Sequence, residues 1–129
     1  MASIFTKIIK REIPGYIVAE DEQHIAILDV NPNTKGHTLC IPKKEVNKLF
    51  DLPEDDYIAL MSFSRKVAIA LEKVVDCKRI GVSVIGLEVP HVHVHLIPLT
   101  SMEDARFIAK KSLSETEFKE LAAQINAVL

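Results

Sequence analysis

The sequence predicts an α+β domain, in which helices pack on a five-stranded antiparallel sheet. Three observations predict it: short runs of strand-forming residues separated by turns, a long segment with apolar residues every three or four positions, and a second amphipathic segment near the C-terminus. With 129 residues, 48% hydrophobic and 26% charged, the chain is large enough for one core and too short for two ordinary domains. We therefore interpret residues 1–129 as a single domain.

The N-terminal part is predicted to contain one short helix and three strands. Apolar residues lie on one side of a helix over residues 4–11, which Pro14-Gly15 ends. Strand-like runs follow at 16–19, 24–30 and 37–42, separated by polar or proline-containing turns. Short turns between strands favour antiparallel pairing, so these three strands are expected to form a meander.

The remainder is predicted to supply the long helix, two strands and the C-terminal helix. The apolar period over residues 53–77 is that of an amphipathic helix, with Pro53 at its first position and acidic residues at 54–56. Strands are expected at 79–85 and 89–98, and the capping box Ser114–Glu117 starts the last helix. The sheet is therefore expected to be packed with a long helix and a C-terminal helix.

Composition excludes several classes of function. A net charge of −2 and a pI near 6.2 do not provide the basic surface that polymeric nucleic acid requires. No run of 18 apolar residues is present, so we expect a cytoplasmic protein without membrane insertion. Two cysteines, Cys40 and Cys77, are too few for a disulfide framework and are expected to be reduced, with Cys40 buried.

Three of the five histidines occupy alternate positions between Pro90 and Pro98. In a strand, His91, His93 and His95 would project from one face while the intervening apolar residues pack on the other. Imidazole acts as nucleophile, proton donor or metal ligand near neutral pH. A catalytic row is favoured over a metal site, because a strand separates the first and third rings and Glu88 is the one neighbouring candidate for a further ligand. Polar residues on a solvated sheet face are the third interpretation.

The run from His91 to Pro98 resembles the signature of the histidine triad (HIT) family, in which three histidines alternate with apolar residues. Further blocks at 4–14, 28–32 and 36–44 are similar, in order and spacing, to those of the Hint-like branch, the histidine triad nucleotide-binding proteins. The resemblance covers residues 4–98. It implies a HIT-like fold, a nucleotide-binding hydrolase of the phosphoramidase type, and a homodimer.

The resemblance also implies catalytic roles for four histidines. His93, the middle member of the triad, would attack the α-phosphorus of a nucleotide conjugate and form a covalent nucleotidyl intermediate. His95 would be a donor beside the phosphate and leaving group. His91 and His37 would orient the nucleophile and complete the hydrogen-bond network. No metal or other cofactor is implied.

A nucleotide-binding role is implied for a second set of residues. Asp29 matches the position that binds the ribose hydroxyls, although a carboxylate before Asn31-Pro32 is also typical of a turn. The base, expected to be a purine, would lie in an apolar pocket formed by Phe5, Ile8, Ile13, Ile27, Val30 and Leu39. The expected partners are therefore a purine mononucleotide or nucleotidyl conjugate and a second copy of the chain.

The chain departs from the family pattern at three positions. Glu88 replaces a hydroxyl residue that donates to the phosphate, and a carboxylate there would repel an anion. Ser83 is the nearest polar residue where relatives carry an asparagine that helps to place the phosphate. Thr6 replaces a cysteine that takes part in a zinc site in bacterial relatives, which argues against structural zinc.

Two alternative functions stay open at this point: hydrolysis of dinucleoside polyphosphates, and a dimeric purine-nucleotide sensor or interaction module with weak catalysis. The tail from 101 to 129 lies outside the similar blocks, and its amphipathic helix is a candidate dimer surface. His24 matches no functional block and is assigned to the surface.

Overall fold

A computed structural model describes residues 2–129 and contains one antiparallel sheet with the strand order β1-β2-β3-β5-β4. The strands are β1 Ile17–Glu20, β2 His24–Leu28, β3 Thr38–Pro42, β4 Arg79–Ser83 and β5 Val94–Leu99. The predicted α+β class and five-stranded sheet are therefore confirmed.

Three α-helices accompany the sheet: α1 Ile4–Ile9, α2 Glu54–Val74 and α3 Glu115–Ala127, with single turns of 3-10 helix at Leu49–Asp51 and Met102–Ala105. The capping box at the start of α3 is present, since the Ser114 hydroxyl accepts from the Glu117 amide and the Glu117 carboxylate accepts from the Ser114 amide. Pro53 was predicted as the first helical residue of α2, but its backbone is extended, with ψ of 149°, so it precedes the helix.

The main core lies between the sheet and the two longer helices. Leu60, Val67 and Leu71 of α2 are fully buried there. The apolar face of α3, which includes Leu121 and Ile125, is buried in the same core. The apolar face that made this helix a candidate dimer surface is therefore covered within its own chain.

A second, smaller core lies on the opposite face of the sheet, where α1 packs. Alternation along β2 explains the division, since Ile25 and Ile27 belong to this smaller core while Ala26 and Leu28 belong to the main one. Ile27 is paired with Leu39, and Leu39 is paired with His95. The strand histidine therefore lies on the α1 face of the sheet.

The strand predicted over 89–98 is shorter than expected, because β5 begins at Val94. Pro90 has no amide hydrogen, and the His91 amide donates to the carbonyl of Val89 in a tight turn. The Val92 amide donates to the carbonyl of Val46 in the loop after β3. His91 and His93 consequently precede the strand, and the row of three histidines on one regular strand is wrong.

His24 is a further correction, because its side chain is buried instead of exposed. It begins β2 on the α2 side, where its ring stacks on Phe63 with 5.0 Å between centroids, and Asp21 accepts from its Nδ1. Both cysteines are free, and Cys40 is buried as predicted. Among residues 2–129, no helix has the length and apolar character needed to cross a membrane.

Candidate active site

A cavity of about 760 Å³ opens on the α1 face of the sheet, beside the ends of β2 and β5. It is lined by most of the predicted site residues, namely Phe5, Ile8, Ile13, Ile27, Asp29, Val30, Leu39, Glu88, His93 and His95. His37 and His91 do not line it and are fully buried next to residues that do. Ser83 pairs with His95 across β4 and β5, but it does not line the cavity either.

A backbone hydrogen bond fixes the protonation of the His93 ring. Nδ1 of His93 lies 2.7 Å from the carbonyl oxygen of His91, and a carbonyl can only accept, so Nδ1 carries the hydrogen. In the neutral ring the lone pair is then on Nε2. The edge of the ring contacts Phe5, with 4.9 Å between centroids, which fixes its orientation. His93 therefore presents a nucleophilic nitrogen in the cavity.

His37 and His95 form a relay that also begins at the backbone. The amide of Asn33 donates to Nδ1 of His37 over 3.0 Å, so the neutral His37 ring carries its hydrogen on Nε2. That Nε2 is 2.9 Å from Nδ1 of His95 and donates to it. His95 consequently carries its hydrogen on Nε2. The ring centroids of His93 and His95 are 4.8 Å apart, so a ring with a lone pair on Nε2 is the neighbour of a ring with a hydrogen on Nε2.

Burial keeps both rings of the relay neutral at pH 7. Removal from water, followed by repulsion from a protonated His95, from Lys110 and from a protonated His93, lowers the pKa of His37 to about 3. Removal from water, followed by repulsion from a protonated His93 and from Lys110, lowers the pKa of His95 to about 4. Because neither ring is charged, the tautomers derived above apply at neutral pH.

His91 connects the triad to α1. Its Nε2 donates to the carbonyl of Pro42 over 2.7 Å, so its Nδ1 accepts from the Ser3 hydroxyl over 2.6 Å. The same hydroxyl caps α1 by accepting from the Thr6 amide. One oxygen of Glu45 accepts from the Ser3 amide and the Thr6 hydroxyl, each over 2.7 Å. Hydrogen bonds thus join α1, the loop after β3 and the first triad histidine.

Asp29, His37 and His95 place one potential ligand atom each within 4.8 Å of one another, which raises the question of a metal ion. The hydrogen bonds argue against this use. Since the Asn33 amide occupies Nδ1 of His37, the nitrogen facing Asp29 is protonated and has no lone pair for a metal. Asp29 Oδ2 lies 3.7 Å from that nitrogen, and Oδ1 accepts from the Asn31 amide over 2.9 Å. Burial is the main cause that raises the pKa of Asp29.

Three residues of the segment after β5 line the cavity and were not among the predicted site residues. Phe107, Ile108 and Lys110 line the cavity, and the Phe107 ring lies at the edge of His95 with 5.0 Å between centroids. Asn33 holds this segment in place, since its side-chain amide donates to the carbonyl of Asp104 over 3.1 Å and its side-chain oxygen accepts from Lys110 over 2.6 Å. Asn33 follows Pro32 in a predicted turn, and no pattern in the sequence indicated that it would hold the segment after β5.

Several proteins are similar in sequence to this chain over most of its length. Residues 10–102 match the family model described as the HIT domain. An adenosine 5′-monophosphoramidase of Saccharomyces cerevisiae is 36% identical over 121 residues, which cover 93% of this chain and 76% of that protein. An uncharacterized HIT-like protein of Methanocaldococcus jannaschii is 40% identical over 99 residues, covering 74% of this chain and 77% of its own length.

Solved structures share the fold. A HIT-like protein involved in cell-cycle regulation from Bartonella henselae superimposes with a TM-score of 0.84 at 32% identity, covering 98% of this chain and 96% of that one. A hypothetical histidine triad nucleotide-binding protein from Sulfolobus tokodaii gives a TM-score of 0.82 at 30% identity, covering 96% and 89%. With the triad, the domain match and the fold in agreement, the chain belongs to the histidine triad (HIT) family.

Proposed function

We propose that this protein is a nucleotide hydrolase that cleaves nucleoside 5′-phosphoramidates or related nucleotidyl conjugates through a covalent intermediate on His93. The observation that carries the proposal is the bond from His93 Nδ1 to the His91 carbonyl, which leaves the Nε2 lone pair for attack. Similarity to a yeast adenosine 5′-monophosphoramidase supports phosphoramidates as the substrate class.

The cavity suits a mononucleotide. Its volume of about 760 Å³ lies within the range of roughly 300–1,000 Å³ that small-molecule sites occupy. Apolar side chains such as Ile27 and Leu39 would contact the base, and the carboxylate of Asp29 would accept from the ribose hydroxyls. The α-phosphate would then lie at His93 and His95. Apolar contacts recognise the base by shape, so discrimination between adenine and guanine is expected to be modest.

The reaction follows from the two tautomers. Nε2 of His93 bonds to the α-phosphorus while the P–N bond of the substrate breaks, and the electron pair of that bond leaves on the amine, which takes up a proton from solvent. Water then attacks the phosphorus, the P–Nε2 bond breaks with its electron pair returning to His93, and the attacking water releases a proton to solvent. The neutral His95 ring donates an Nε2–H hydrogen bond to the negatively charged phosphate in both steps.

Intact-mass spectrometry after rapid mixing with a fluorogenic adenosine 5′-phosphoramidate tests this mechanism. The wild type should show a transient adenylate adduct, and His93→Ala should show neither adduct nor product. His24→Ala is the matched control, because it removes a buried histidine on the α2 side of the sheet and should retain the adduct. Product release by His93→Ala would contradict the mechanism. Ligand binding without adduct or product in the wild type would favour a nucleotide sensor instead.

The same experiment addresses the choice of leaving group. A dinucleoside polyphosphate would use the same nucleophile and give the same adenylate adduct, but it would release a nucleotide instead of an amine. Faster single-turnover adduct formation from saturating phosphoramidate than from saturating dinucleoside polyphosphate supports the first substrate class. The reverse order would assign the second.

We also propose that two copies of the chain form a homodimer. β4 ends the sheet, its outer edge pairs with no strand among residues 2–129, and Val82 on it is 57% exposed. An unpaired edge with an exposed apolar residue is a surface that a second copy can cover. Light scattering should give twice the monomer mass. A monomer at micromolar concentration would refute the dimer.

A further inference from the structure

The charge on the cavity wall does not favour an anionic ligand at first sight. The carboxylates of Asp29 and Glu88 both line the cavity. In the part of the chain that the structure describes, Lys110 is the one lysine or arginine that lines it. A nucleotide phosphate placed between these groups requires a compensating positive charge.

We propose that Lys110 binds the phosphate of the ligand. Its positive charge and hydrogen-bond donors would compensate for Glu88, which replaces the hydroxyl donor of relatives. The proposal rests on the proposed nucleotide-binding function and extends it to a residue outside the triad. Lys110 lies in the segment after β5, outside the blocks that are similar to the family, where no site residue was predicted.

The ammonium group is positioned by two contacts. It donates to the side-chain oxygen of Asn33 over 2.6 Å and lies 4.9 Å from the centroid of the Phe107 ring. An ammonium has three donors, and Asn33 uses one of them. The Phe107 ring in turn contacts both His95 and His37. Lys110 is thus held beside the histidine relay with donors remaining for an anion.

The charge of Lys110 also reaches the reacting groups. After burial, which is the main cause, it contributes to the lowered pKa of His37 and His95. At Asp29 it opposes the rise in pKa that burial causes. A cation that acts on both Asp29 and His95 lies within electrostatic range of a phosphate bound at His93 and His95.

The neighbouring Lys111 is a matched control. Its side chain is exposed and does not line the cavity, while its amide donates to the carbonyl of Pro32 over 2.8 Å. Replacing that side chain removes the same formal charge one residue away and leaves the backbone contact in place. A general effect of net charge on nucleotide binding would therefore appear equally in both variants.

The test is calorimetric binding of AMP and adenosine to the wild type, Lys110→Met, Lys110→Arg and Lys111→Met. Loss of a charge-assisted hydrogen bond should weaken AMP binding to Lys110→Met roughly tenfold or more. Adenosine, which has no phosphate, should bind equally to all four. Lys110→Arg should recover most of the AMP affinity, and Lys111→Met should match the wild type.

Two outcomes would overturn the assignment of Lys110. An unchanged AMP affinity in Lys110→Met would show that the ammonium does not contact the phosphate. Equal losses for AMP and adenosine would show that Lys110 only shapes the cavity wall through Asn33 and Phe107. Failure of the wild type to bind either ligand would instead refute the proposed nucleotide-binding function, and the role of Lys110 with it.

Discussion

Mild acid should destabilise this fold through the two buried histidines of the relay. In an unfolded chain a histidine titrates near pH 6.5, whereas the folded protein holds the pKa of His37 at about 3 and that of His95 at about 4. Between pH 6.5 and 5 the unfolded chain therefore binds protons that the folded chain does not, and stability is lost as the pH falls. At about 1.4 kcal/mol per pH unit for each ring, the loss reaches about 2 kcal/mol each and about 4 kcal/mol together.

Two other groups of the site modify this sum. Burial, opposed by the Pro42 carbonyl and Glu45, lowers the pKa of His91, so its contribution has the same sign. Burial raises the pKa of Asp29, so the folded state binds protons more readily there and the contribution has the opposite sign. Carboxyl groups whose pKa is lowered on folding, such as Asp21, stabilise the protein by an amount that is lost mainly below pH 4. They therefore contribute little to a difference in stability between pH 7.5 and pH 5.

Urea unfolding at pH 7.5 and pH 5, at one protein concentration, measures the effect. The free energy of unfolding of the wild type should fall by about 4 kcal/mol, a large part of the 5–15 kcal/mol typical of a domain. His95→Asn removes one of the two titrating rings, so its loss between the same pH values should be about half. Equal stability of the wild type at both pH values would refute the assignment of neutral, buried rings.

Two further substitutions probe the groups around the triad. Ser3→Ala removes a helix cap and the donor to His91, so we expect stability to fall by about 1 kcal/mol and the single-turnover rate to fall about fivefold. As a control, Ser114→Ala removes only the cap of α3 and should lower stability by a similar amount without changing the single-turnover rate. Equal single-turnover rates in Ser3→Ala and Ser114→Ala would refute the coupling of Ser3 to the triad. Glu88→Ser removes a carboxylate from the cavity wall and should tighten AMP binding about fivefold by calorimetry. Glu22→Ser, in an exposed turn, should have no effect, and a weaker AMP affinity in Glu88→Ser would mean that Glu88 assists binding.

The elements that the sequence predicted correctly are those with local signals. The strand-forming runs of β2 and β3 between turns, the helical period of α2 and the capping box at Ser114 each act within a few residues and need no distant partner. The residues around the cavity were found differently, since single apolar positions such as Ile27 and Leu39 look like ordinary core. Their grouping came from the order of family blocks, and the fold brings them to one face because they alternate in phase on paired strands.

Contacts between distant parts of the chain were beyond sequence reasoning. Asn33 joins the loop before β3 to Asp104 and Lys110, which are 71 and 77 residues away. Neither Phe107 nor Lys110 belongs to a helical or strand period, so no pattern placed them in the cavity wall. The apolar face of α3 posed a related difficulty, because amphipathicity alone does not distinguish a core within the chain from a partner surface.

The irregular backbone before β5 determines the tautomer of His93. In a regular strand, carbonyl groups lie in the plane of the sheet while side chains project from it. A side chain cannot then readily reach the carbonyl two residues before it. Because β5 begins only at Val94, the backbone at 91–93 is free of the sheet ladder, and His93 Nδ1 reaches the His91 carbonyl over 2.7 Å. The departure from strand geometry is therefore what places the lone pair on Nε2, while His95, within the strand, takes its tautomer from His37.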